Sequence, residues 1–148
     1  MSLKDSYILT GQPVRHATKP IKYKQLYDLR KKQEAVLWPA EEVSLKEDIL
    51  RWNLGLFKNP QQDANAKRLL KFIFIFFNYG DGLVGSNLSK NLSKITIREA
   101  LDFYATQAHI EAVHNESYSR INEALIPDET ESLVNILKVH PAIAAKIK

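Results

Sequence analysis

The stretch Leu69-Leu70-Lys71-Phe72-Ile73-Phe74-Ile75-Phe76-Phe77 is the most apolar in the chain and leaves few folds open. Its aromatic and β-branched residues would also suit a buried strand, so length has to decide. From Gln61 to Leu88 only the glycines at 80, 82 and 85 interrupt, and Ala64, Ala66, Lys67 and Arg68 favour a helix leading in. The spacing predicts one long helix from about Asp63 to Asn87, apolar nearly all round and therefore central. Asp81 stands one turn beyond Phe77 on an apolar side. It reads equally well as part of a turn with Gly80 and Gly82 or as a ligand, because an unpaired buried charge is costly.

A second long helix is predicted after the polar break at residues 86–94. Thr96 suits its N-cap, with Glu99 three residues on completing a capping box. Tyr104, Gln107, Glu111, His114, Tyr118 and Ile121 recur at three-and-four spacing along one stripe, and Pro127 ends the helix. Upstream, residues 1–19 contain Gly11 and Pro13 without periodicity and read as an irregular arm. A helix is predicted from Ile21 to Pro39, with Trp38 at its mouth, since proline disfavours helix in the residue before it. Ser44 and Glu47 predict a capping box for a short helix running through Trp52. Residues 53–60 read as a connection. A helix opening at Asp128 or Thr130 and ending before Pro141, then a last turn over residues 142–148, complete the chain. Every element reads as helix, so the fold class is all-α.

The chemistry sits in Glu111-Ala112-Val113-His114-Asn115-Glu116-Ser117-Tyr118. On a helix turning about 100° per residue, Glu111, His114 and Tyr118 share one side within two turns. Glu111 and His114 continue an apolar stripe, which argues against a solvated surface pair. A carboxylate, an imidazole and a phenol so aligned suit a metal that oxidises a neighbouring tyrosine. With no cysteine in the chain, carboxylates and imidazoles must do the ligating, which favours iron, manganese or zinc over softer-ligand metals. His109 lies about 160° around the helix from Glu111. With His16 and His140 it is read as a surface or packing residue.

Other classes are disfavoured. A net charge of +4, with Lys and Arg dispersed among Asp and Glu, is not a nucleic-acid footprint. No run reads as approaching the roughly 20 apolar residues that span a bilayer. The N-terminus lacks the charged start and apolar core of a secretion signal, so the cytoplasm is the expected compartment.

Five ordered motifs carry a family resemblance. They are Pro20-Ile21-Lys22-Tyr23, Lys32 to Val43 (KQEAVLWPAEEV), Phe76 to Val84 (FFNYGDGLV), Glu99 to Tyr104 with Gln107, and Glu111 to Tyr118. Together they resemble the radical-generating small subunit of class I ribonucleotide reductase from about residue 13 onward. The resemblance implies a ferritin-like helical bundle holding two irons, with manganese as the alternative metal. It implies that Asp81 is the first carboxylate ligand, Glu111 the bridging carboxylate and His114 the imidazole ligand. Tyr118 would be the tyrosine oxidised to a stable radical and Trp38 the residue that passes an electron. The implied product is a radical used by a large subunit to make deoxyribonucleotides.

The family's pattern continues beyond what this sequence contains. A second lone glutamate, a second Glu-x-x-His and the tail that docks on the large subunit are not found, so residues 20–148 read as the N-terminal half of the domain. The expectations are a complementing C-terminal half, an oligomer, an isolated chain without activity, and an uncovered apolar face on the Phe72–Phe77 helix. The alternatives are a non-catalytic interaction protein of the same fold and a self-associating ferritin-like di-iron oxidase.

Overall fold

The computed structural model describes residues 15–147, so most of the expected N-terminal arm (residues 1–14) lies outside the described residues. The elements are α1 (Lys24–Glu34), a 3-10 turn (Ala40–Glu42), α2 (Lys46–Leu54), α3 (Pro60–Leu92), α4 (Arg98–Leu125), α5 (Thr130–Val139) and α6 (Pro141–Ile147). No strand occurs among the described residues, as the all-α expectation requires.

Several predicted boundaries move, each for a local reason. α1 ends at Glu34 rather than running on to Pro39. The Ala35 N–H closes the last turn onto Lys31, and Val36 and Leu37, 70% and 42% exposed, gain no burial that would reward a longer helix. The Ser44 capping box does not form. Leu45 is the N-cap of α2, without a side-chain hydrogen bond, and Glu47 and Asp48 in the first turn complement the helix dipole instead. Gly55, at φ 104, closes α2 in the left-handed region where a side chain is strained. α3 begins three residues earlier than predicted. The Asn59 side-chain oxygen accepts the N–H groups of Gln61 and Gln62, and Pro60 occupies the first helical position, where its missing N–H costs nothing.

α3 also runs straight through its glycines, which removes the reading of Asp81 as a turn residue: Asp81 lies in the helix interior. Its 33 residues make it long and apolar enough, by length and composition alone, to cross a membrane, contrary to the sequence expectation. The extension arises because Leu83 and Val84 prolong the apolar run past Asp81.

By their contacts the residues divide into two units. The division falls within α3, between Asp81 and Gly82, and within α4, between Val113 and His114, so each unit holds part of both long helices.

Among the described residues of the first unit, 15–38 and 82–113, several polar contacts tie distant segments together. The Glu99 carboxylate, 2% exposed, accepts the Lys22 N–H at 2.8 Å and the Arg15 guanidinium at 2.6 Å. Arg15 also donates to the carbonyls of Thr18 and Pro20, which ties the segment before α1 to the start of α4. Arg30 and Arg98 converge on Asp102, at 3.2 and 2.9 Å. A Cβ at Gly85 would meet the Glu111 Cβ at 3.8 Å, an ordinary van der Waals contact.

The described residues of the second unit, 39–81 and 114–147, hold a buried apolar cluster. Ile75, Ile126, Leu133 and Leu137 are buried, and Trp52, Phe72, Tyr79, Leu125, Val134 and Ile143 pack against them. Lys71 pairs with Glu129 across this core's rim. One side of α3 faces inward here and the other does not. Ile75 is fully buried, but Leu69, Phe76 and Phe77 are 61%, 48% and 43% exposed. The helix expected to be apolar and central is therefore covered on one side only, and the uncovered face anticipated over Phe72–Phe77 is present at Phe76 and Phe77.

Candidate metal centre

Asp81, Glu111 and His114, the trio that the family resemblance implied, come together. One ligand atom from each lies within 4.8 Å of the others, and all three residues are partly buried. Glu111 and His114 lie one turn apart on α4, and Asp81 comes from α3. Two ligands bound to one ion at about 2.0–2.2 Å each stand at most about 4.4 Å apart, close to the spread of this trio. Oxygen and imidazole nitrogen donors suit iron, manganese or zinc. The three residues therefore fit a first-row metal as a donor set. Dinuclear carboxylate bundles need a lone carboxylate from each of two helices and Glu-x-x-His from each of two more. α3 and α4 supply one of each.

Tyr118 lies one turn after His114, and its ring stacks on Phe77 with centroids 5.4 Å apart and planes inclined by 18°. Phe77 is itself one turn before Asp81. The stacked ring pair on α3 and α4 thus repeats, one turn along, the carboxylate–imidazole pair that flanks the metal position. Trp38 is partly buried in the non-helical segment after α1. His16, His109 and His140 are exposed, in keeping with ordinary surface roles.

The sequence reading missed a polar network beside these residues. The Asn78 side-chain amide donates to the Asn115 backbone carbonyl at 2.9 Å and to the Ser119 hydroxyl at 2.7 Å. The Asn115 amide donates back to the Asn78 carbonyl at 2.6 Å, and the Ser119 hydroxyl donates to the Asn115 carbonyl at 2.8 Å. The available signal was two asparagines inside long helices, where their propensity is poor. Each stands three residues before a candidate functional residue, Asp81 in one case and Tyr118 in the other.

Comparison with known proteins places the chain in a family. The family described as "Ribonucleotide reductase, small chain" matches residues 15–148. Ribonucleoside-diphosphate reductase small chain 1 of Saccharomyces cerevisiae is 34% identical over 146 residues, covering 97% of this chain and 35% of that relative. A shorter relative from Arabidopsis thaliana, named as a small chain of the same reductase, is 37% identical over 131 residues, covering 88% of this chain and 79% of that relative. Among solved structures, the ribonucleotide reductase Rnr4 homodimer of Saccharomyces cerevisiae superposes with a TM-score of 0.72 at 21% identity. The match covers 97% of this chain and 44% of that one, which bears out the all-α half-bundle at the level of fold. This chain spans only 35–43% of the yeast and Arabidopsis small chains it matches at full coverage. With the family match extending over nearly all of its length, this protein belongs to the ribonucleotide reductase small-chain family.

Proposed function

We propose that this chain contributes the first half of a metal centre that generates a tyrosyl radical in a ribonucleoside-diphosphate reductase. The observation that carries the reading is the Asp81–Glu111–His114 cluster with Tyr118 one turn away. Bound iron, with manganese as the alternative, supplies an oxidising centre when it meets oxygen. The chain's own residues do the rest. Asp81 and His114 would hold one metal, and Glu111 would be the carboxylate shared with the complementing half. Tyr118 would give one electron to that oxidising centre and its phenolic proton to the Asp81 carboxylate, leaving a neutral radical in the ring. Phe77, stacked on that ring, shields one of its faces from water and from reductants. Trp38 is assigned the passage of a further electron.

The second lone carboxylate and the second Glu-x-x-His come from a complementing half of the small chain. Two features support this: three ligands on two helices, and the exposed side of α3 at Leu69, Phe76 and Phe77. The same complement makes α3 the inner helix of a bundle. The assembled small chain then passes its radical to a large subunit that reduces ribonucleotides, and the cytoplasm is its proposed compartment. Anaerobic ferrous-iron titration tests the site. Asp81→Ala, Glu111→Ala and His114→Ala should each weaken binding at least about tenfold. Unchanged iron binding in all three would remove the proposal.

A further inference from the structure

We propose that Asn78 and Asn115 are positioning residues that set the register of α3 against α4 at the metal centre. This inference rests on the metal-site reading above. The four hydrogen bonds among Asn78, Asn115 and Ser119 form a reciprocal exchange in which each asparagine amide reaches the backbone carbonyl of the other. Apolar side chains in a helix–helix contact tolerate sliding, because their attraction has no direction. An amide-to-carbonyl exchange tolerates little, because each carbonyl is a fixed point on its helix. A shift of one residue's rise, about 1.5 Å, would lengthen and bend both bonds of 2.6–2.9 Å at once.

The placement suits that task. Asn78 follows Phe77 directly and precedes Asp81 by three residues. Asn115 follows His114 directly, four residues after Glu111 and three before Tyr118. The clamp is thus level with the ligands and with the stacked rings. The same slip would move Asp81 relative to His114 by a distance comparable to a metal–ligand bond, about 2 Å. Asparagine is a poor choice for helix stability at either position. An apolar pair would pack the two helices without leaving amides to satisfy. The polar exchange is better explained by register than by cohesion.

Cobalt(II) alone, titrated into the 148-residue chain, provides the test, because its visible absorption reports ligand geometry independently of activity. Asn78→Leu and Asn115→Leu should keep the helical circular dichroism, weaken cobalt binding about tenfold or more and alter the cobalt spectrum. The double variant should be little worse than either single one, since one broken exchange already frees the register. Normal affinity and spectrum in the leucine variants, while Asp81→Ala and His114→Ala abolish binding, would overturn the clamp and leave the metal site standing. Unchanged binding in Asp81→Ala and His114→Ala would remove the site itself, and the clamp with it. Loss of helix in the leucine variants would also overturn the proposal, because it would make the pair a determinant of folding.

Discussion

Replacing Glu99 by glutamine keeps the side chain's size and its accepting oxygen but removes the charge. In the native chain that oxygen accepts two bonds, from the Lys22 N–H at 2.8 Å and from Arg15 at 2.6 Å. Bonds to a charged group contribute about 1.5–3 kcal/mol each and neutral ones about 0.5–1.5 kcal/mol, so the substitution loses roughly 2 kcal/mol in all. Arg15 is 24% exposed and partly screened by water, which lowers the expectation to about 1–2 kcal/mol near pH 7. The effect should depend on acidity. Burial by itself would raise the Glu99 pKa, but the Lys22 N–H and the Arg15 guanidinium outweigh it and hold the carboxyl below its ordinary 4.5. A depressed folded-state pKa means the contribution is present in full above 4.5 and is lost as the pH falls through the lower, folded value. Urea unfolding followed by circular dichroism, at about pH 7 and about pH 3, reads the difference between wild type and Glu99→Gln. Amide exchange at Lys22 should also quicken in the variant. Equal stability near pH 7, or a gap that does not shrink in acid, would refute the reasoning.

Three further variants probe the rest of the fold. Ile75→Ala, at the fully buried centre of the apolar core, should cost about 2–5 kcal/mol in a denaturant titration. Gly80→Ala should raise stability by about 0.5–1 kcal/mol, because the position is inside a helix and a Cβ there meets nothing within 4 Å. On the open side of α3, Leu69→Glu with Phe76→Glu should change unfolding free energy by no more than about 0.5 kcal/mol per site. The same pair should lower binding of a hydrophobic dye and block association with a complementing half. A loss above about 3 kcal/mol would mean that this face is already packed.

The parts of this molecule that could be read in advance were those with a strict period. The shared side of Glu111, His114 and Tyr118 follows from helical spacing, their roles only from the family resemblance, and the long apolar helix from the run around Phe72–Phe77. Boundaries were harder, because they turn on a few competing local bonds. Ser44 and Glu47 have the spacing of a capping box, yet α2 starts at Lys46 without one. Asp81 was ambiguous for another reason: beside Gly80 and Gly82 it could equally belong to a turn, and whether a helix survives its glycines depends on what packs alongside. Glu99 was expected to serve its own helix terminus, but Arg15 and Lys22 lie 84 and 77 residues away in sequence. No local pattern announces such a contact. The Asn78–Asn115 exchange has the same character, visible beforehand only as two poor helix formers in helical interiors.

The central claim is that Tyr118 carries the radical made at the Asp81–Glu111–His114 cluster. Its most direct test is electron paramagnetic resonance of the chain assembled with its complementing half and given ferrous iron and oxygen. The expected result is a tyrosyl signal whose hyperfine structure collapses on ring-deuterated tyrosine and which is absent from Tyr118→Phe, although that variant still binds iron. A tyrosyl signal that persists unchanged in Tyr118→Phe would contradict the account.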